Sequence, residues 1–157
     1  MDVRIAIAND HAAVEARRRL SRTLRDWGFE VSDLGTDTEE SVDYPDQAAA
    51  VARMVASGEA DRGIILCGTG IGVSMAANKI DGIRAAVCHS VETATLAREH
   101  NDANVLCLGA RVLDAAKIEA CSRAFLDTAF AGGRHARRVQ KIRDLEGGSG
   151  ENKKKEL

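Results

Sequence analysis

The chain has 157 residues, 45% hydrophobic and 29% charged, with one proline and a formal net charge of -2. That length suits one domain with a core large enough to need no disulfide or metal staple. The composition is that of a folded globular protein, and the slightly negative balance argues against a nucleic-acid partner. No run approaches the roughly 18 continuous apolar residues of a membrane span, and the opening MDVRIAIAND lacks a signal-peptide layout. A cytoplasmic protein without a membrane partner is therefore expected.

Short β-branched runs alternate with longer stretches of helical period along the chain. VRIAIA (Val3–Ala8) reads as a strand, followed by a helix over Ala12–Trp27. FEVSDL (Phe29–Leu34) reads as the second strand, with a helix over Pro45–Ser57 after a polar loop. GIILC (Gly63–Cys67) leads into a helix over Gly72–Lys79, RAAVC (Arg84–Cys88) into one over Ser90–His100, and NVLCLG (Asn104–Gly109) into one over Ala115–Phe130. A last helix is predicted over Arg134–Leu145, because Val139, Ile142 and Leu145 recur at spacing three with arginine and lysine on the other face. From Gly147 the sequence is glycine, serine and charge with little to bury, so residues 147–157 are expected to form a disordered tail and residues 1–146 a single domain. There is no internal repeat. The pattern is that of an α/β protein with five parallel strands.

In such a sheet, ligands bind beyond the carboxyl ends of the strands, in the loops that lead into helices. That rule selects Asn9, Asp10 and His11, the loop from Gly35 to Tyr44, Cys67 to Gly72, His89, and Ala110 with Arg111. The four cysteines form no CxxC, so neither a zinc site nor a disulfide framework is implied. Cys107 and Cys121 read as small core residues, and Cys88, His89 and Glu92 as structural.

The loop C67-G-T-G-I-G72 offers backbone N–H groups and a helix start to an anion. It is not a Walker A loop, since Ala77 and Asn78 stand where the second glycine and the lysine would be. It is a poor dinucleotide fingerprint, because Val73 replaces the last glycine and the loop follows the third strand. Val73 also occupies the place of the arginine that a cysteine-phosphatase loop would need. What remains is a thiol at a helix start, facing amides that could hold charge developing on an oxygen, as proton abstraction beside a carbonyl requires. The competing reading is that Cys67 is the buried end of a strand.

Asp10 and His11 could hold sugar hydroxyls and a phosphate oxygen, although aspartate at this place is also a preferred helix cap. His100 and Asn101 form a second polar pair, for which a helix-end cation is the plainer role. Arg134 and Arg138 share one helix face and could grip a dianion or form a solvated basic face. Tyr44, the one tyrosine, could line the pocket or cap a helix.

Five stretches, NDHAA (Asn9–Ala13), VDYPDQAA (Val42–Ala49), GIILCGTGIGVSMAANKIDGIRAAVC (Gly63–Cys88), REHNDANVLCLGARV (Arg98–Val112) and GGRHARRV (Gly132–Val139), carry a resemblance that covers Val3–Leu145. The chain resembles the type B ribose-5-phosphate isomerases, which belong with the galactose-6-phosphate isomerase subunits. The resemblance implies a three-layer α/β/α sandwich on a five-stranded parallel Rossmann-like sheet. It implies aldose–ketose isomerisation without metal or cofactor, in a homodimer or tetramer whose active sites are shared between subunits. Position by position, it makes Cys67 the base and has Thr69 with the amides of Gly68, Gly70, Ile71 and Gly72 hold the enediolate. It makes His100 the acid that opens the sugar ring, and has Asp10 and Asn101 hold sugar oxygens. His11, Arg111, Arg134 and Arg138 bind the phosphate, some of them across the interface; Tyr44 joins them as a candidate substrate-binding residue from its place in the sequence alone. A branch of the family has a glutamate base at the position of Val73, so Cys67 aligns this chain with the cysteine branch. Asn9 and Ala13 depart from the small residue and the glycine usual beside the first motif. The substrate implied is ribose 5-phosphate. A four- or six-carbon sugar phosphate is the alternative, and a non-catalytic flavodoxin-like nucleotide binder a more distant one.

Overall fold

The computed structural model describes residues 2–147, so the tail expected from Gly147 lies, apart from Gly147 itself, outside the described residues. Strand β1 (Arg4–Asn9) runs through a 3-10 turn (His11–Ala13) into α1 (Val14–Asp26). Then follow β2 (Glu30–Asp33), α2 (Tyr44–Ala56), β3 (Arg62–Cys67), α3 (Ile71–Ala77), β4 (Ala85–Val87), α4 (Val91–Asn101), β5 (Val105–Gly109), α5 (Ala115–Asp127) and α6 (Arg134–Asp144). The five strands form one sheet in the order β2-β1-β3-β5-β4, and every neighbouring pair is parallel.

Alternation along the strands sends side chains into two cores. Ile5, Ile7, Ile64, Leu66, Leu106 and Leu108 face Leu20 and Leu24 of α1, Ala94 and Ala97 of α4, and Ile118 and Phe125 of α5. Ala6, Ala8, Ile65, Cys67, Val105 and Cys107 face Ala48, Val51 and Ala52 of α2 and Val73 and Ala77 of α3. Because both faces are covered, the central strands read as continuous apolar runs, as parallel strands must. The result is the α/β/α sandwich that the resemblance implied.

All six expected helices form, with ends set by side chains. The first opens as a 3-10 turn because Asp10 caps it, its carboxylate accepting from the Ala12 N–H at 2.9 Å. The third stops at Ala77, because the Asn78 amide turns to the edge of β4, donating to Ala85 O at 3.0 Å and accepting from Ala85 N at 2.8 Å. The fifth ends at Asp127 rather than at Phe130, and Thr128 O takes a bond from Arg98 Nε at 3.1 Å. Among the described residues no helix is long and apolar enough to cross a membrane.

The strand order places the site. The chain leaves β1 toward β2 on one side and returns through α2 to β3 on the other. The loops after β1 and β3 therefore diverge and leave a crevice at the carboxyl edge of the sheet.

Candidate active site

Cys67 ends β3 as a buried residue, 5% exposed, at the floor of that crevice. Gly70, at φ +82°, reverses the loop in the left-handed region that favours glycine, and its N–H donates to Cys67 Sγ at 3.1 Å. The Ile71 N–H donates to Thr69 Oγ1 at 3.2 Å and opens α3. Two of the amides expected to face substrate are thus engaged within the loop, and the Gly70 amide solvates the sulfur itself. Gly109 lies directly beneath: a Cβ there would come within 2.7 Å of the Thr69 backbone, so the loop rests on the bare end of β5.

The other thiols have no such setting. Burial pushes Cys88 up to about 11 and raises Cys107 further, and burial also raises Cys121. All three are core thiols, as expected for Cys107 and Cys121.

Asp10 stands beside Cys67 because its N–H continues the β1–β3 ladder to Leu66 O at 3.0 Å. The helix cap is one role its side chain fills. His11 accepts the Val42 N–H on Nδ1 at 3.1 Å, which leaves Nε2–H of the neutral ring as its donor. The loop after β2 is thereby tied over the first motif. It is fastened again at Thr36, whose N–H donates to Asn9 Oδ1 at 3.0 Å and whose carbonyl accepts from Asn9 Nδ2 at 3.0 Å.

Asn9 has a partner in another residue that sequence reasoning missed. Arg17 donates to Asn9 Oδ1 at 3.0 Å, to Asp33 Oδ2 at 2.8 Å and to Thr36 O at 3.1 Å, and also pairs with Asp37. Burial by itself lowers the Arg17 guanidinium, and the bonds to Asp33 and Asp37 more than reverse this. A signal for Arg17 was present: it interrupts the apolar stripe Val14, Leu20, Leu24 at helical spacing, where a charge needs a buried partner.

Tyr44 and Arg111 close the crevice from two sides. The Tyr44 ring lies on Gly72, where a Cβ would come within 2.6 Å of the ring, and the Arg111 side chain lies on Gly68, where a Cβ would stand 3.4 Å from Cδ. Val73, in the first turn of α3, is fully buried in the core. Asp10, His11, Tyr44, the loop from Cys67 to Gly72, and Arg111 are therefore gathered at one edge of the sheet.

His100, Asn101, Arg134 and Arg138 are not. Helix α4 runs back along the sheet, and Asn104, four residues after His100, accepts on its carbonyl from the N–H of Gly63, near the start of β3. Gly63 and Cys67 are separated by about 13 Å of strand. Helix α6 begins beside the end of α4, where His135 stacks on His100 with ring centroids 4.2 Å apart. The two halves of the expected site thus occupy opposite edges of one chain. Among the described residues no three His, Cys, Asp or Glu side chains converge as metal ligands.

A family description, Ribose/Galactose Isomerase, matches residues 5–142. The chain belongs to that family. It is 44% identical to ribose-5-phosphate isomerase B of Escherichia coli over 91% of this chain and 96% of that one. It is 43% identical to D-erythrulose-4-phosphate isomerase of Pectobacterium atrosepticum over 88% and 91% of the two chains. The solved structure of a ribose 5-phosphate isomerase of Thermotoga maritima superposes with a TM-score of 0.89 at 51% identity, covering 92% of this chain and 99% of that one. Asn9 with Arg17 fastens the loop over His11 through Thr36.

Proposed function

We propose that the chain interconverts ribose 5-phosphate and ribulose 5-phosphate, with Cys67 as the base. The observation that carries this reading is the Gly70 N–H held on Cys67 Sγ beside Asp10 and His11. As a thiolate, Cys67 takes the C2 proton of the open-chain aldose, and the electron pair moves through C1 onto the carbonyl oxygen to give an enediolate. The thiol returns the proton to C1 while a proton passes from O2 to O1, so the ketose forms with no net change of atoms or electrons. Thr69 and the free amides of the loop hold the enediolate oxygens, and Asp10 holds a sugar hydroxyl. His11 and Arg111 bind the phosphate.

His100, Asn101, Arg134 and Arg138 serve the site of a second copy, where His100 protonates the ring oxygen to open the cyclic sugar. Two features support a shared site: the separation of the two halves along the strands, and the apolar surface on the helices that bear them. Ile71 and Met75 on α3, Ile142 on α6 and Leu145 just after it are exposed, Leu145 at 79%. Between these helices a groove of about 710 Å³ contains Asn78, Ala86 and Asn101. The dimer works in the cytoplasm, a reading that four free thiols support, since a reducing compartment keeps them so. A four-carbon substrate is the second reading, favoured by the likeness to the Pectobacterium D-erythrulose-4-phosphate isomerase.

Turnover on aldose phosphates of four to six carbons tests the substrate, and ribose 5-phosphate is expected to lead in kcat/KM by about tenfold or more. A lead for the four-carbon sugar selects the second reading. Cys67→Ala is expected to lower kcat by about a hundredfold or more with substrate affinity little changed, and a variant keeping a tenth of turnover overturns the base. Mixing Cys67→Ala with His100→Asn tests the shared site: each mixed dimer has one intact site, so about a quarter of wild-type activity returns after subunit exchange. No recovery despite exchange means that each chain uses its own pair.

A further inference from the structure

The contact between α4 and α6 is built by the backbone. The Ala131 N–H donates to Glu99 O at 3.0 Å, and Gly132 and Gly133 at φ +65° and +56° turn the chain into α6. His135, in the first turn of α6, is thereby laid on His100, in the last turn of α4, with ring planes inclined by 14° and centroids 4.2 Å apart. Among the described residues no side-chain hydrogen bond orients either ring, so the stack does so.

The charged groups around the pair are Glu99 of α4 and Arg134 and Arg138 of α6. The segment from Thr128 to Gly133 has no ionisable side chain, and Asp127 at the end of α5 is taken by Arg123 at 2.8 Å. Burial, then the positive charges of His100, Arg134 and Arg138, hold His135 below the ordinary imidazole value, with Glu99 opposing. Two imidazolium rings at this separation would repel, so a positive charge on His135 is disfavoured whenever its neighbour carries one.

We infer that His135 is a positioning residue for ring opening: stacked on His100, it fixes the plane of that imidazole. The inference rests on the reading of His100 as the ring-opening acid. A flat neutral ring also attracts the cationic form of its neighbour through its face. The role thus has two separable parts, a surface that needs only an aromatic plane and a charge that must be absent.

Three variants of the full chain separate these parts, and none of them touches the core, because His135 is half-buried at the start of a surface helix. Single-turnover ring opening of the cyclic aldose phosphate and exchange of the C1 proton of the open-chain ketose are the activity readouts. An NMR titration of the His100 imidazole is read beside them. His135→Phe keeps the plane and is expected to open the ring within about threefold of wild type. His135→Ala removes the plane and is expected to slow ring opening about tenfold or more while ketose exchange stays within about twofold. His135→Lys places a permanent charge against His100 and is expected to lower its titration midpoint. Ring opening needs the protonated form and is lost as pH rises, so its alkaline limb moves to lower pH by the same amount. Equal losses in the Phe and Ala variants, equal losses in ring opening and exchange, or a His100 titration unmoved by lysine overturn the inference. His100→Asn is run in parallel. If it fails to slow ring opening selectively while the lysine variant still shifts the His100 titration, the reading of His100 as the acid falls, and with it this role of His135.

Discussion

Replacing Arg17 by methionine keeps most of the side-chain volume and removes a buried cation that ties α1 to β2 and to the loop over His11. Its side chain is 7% exposed and its partner Asp33 is 19% exposed, so this is a largely buried pair whose breaking leaves a carboxylate without its counter-charge. Breaking such a pair costs about 3–5 kcal/mol. The lower end applies, because Asp33 keeps the Gly35 N–H at 2.9 Å and Asn9 Oδ1 keeps the Thr36 N–H at 3.0 Å. A loss of about 3 kcal/mol corresponds to a fall in Tm of roughly 6–12 °C for a chain of this size. The loop then loses one of its anchors, and the Val42 N–H is no longer held firmly on His11, so KM is expected to rise by about tenfold with a smaller change in kcat. Urea unfolding at matched protein concentration and steady-state kinetics on the sugar phosphate read both effects. Arg17→Met/Asp33→Asn removes both charges and should recover about 1–2 kcal/mol of the single-variant loss. A single variant within about 1 kcal/mol of wild type, with KM unchanged, refutes the claim that Arg17 holds the loop.

Gly109→Ala introduces a Cβ 2.7 Å from the Thr69 backbone; the loop must move away from β5, so kcat is expected to fall at least about tenfold with a stability loss of about 1–3 kcal/mol, and unchanged kinetics would refute the close fit of loop on strand. Acid is expected to destabilise the fold through Asp37 and Asp61, which hydrogen bonds from Arg17 and Arg4 hold below the usual carboxylate range. The native state then binds fewer protons than the unfolded one; the stability is present above the ordinary carboxylate pKa of about 4 and is lost as pH falls through the lowered values. The urea midpoint should hold from about pH 7 to 5 and drop below about 4, and a drop no smaller in Arg17→Met than in wild type removes Asp37 from the account.

Much of this protein is local information. Short β-branched apolar runs alternating with stretches of helical period are enough to specify five strands and six helices, because a side chain's direction follows from backbone geometry alone. Cys67, Asp10 and His11 are legible for a related reason: in a parallel sheet, any polar residue at the carboxyl end of a strand is carried to the ligand edge whichever neighbours the strand takes. The tertiary structure decided what depends on neighbours distant in sequence. That the Gly70 amide is spent on sulfur depends on a turn that only the bare end of β5 permits. Asn9 and Arg17 acquire a role only when Thr36 and Asp33 come to meet them from the next strand. His100 sits far from Cys67 because α4 runs back along the sheet, and His135 sits on His100 because two glycines turn α6 against α4. Residue types and periods are properties of a short segment. The partner of a buried polar atom is set by chain topology, which brings together residues that no local pattern relates.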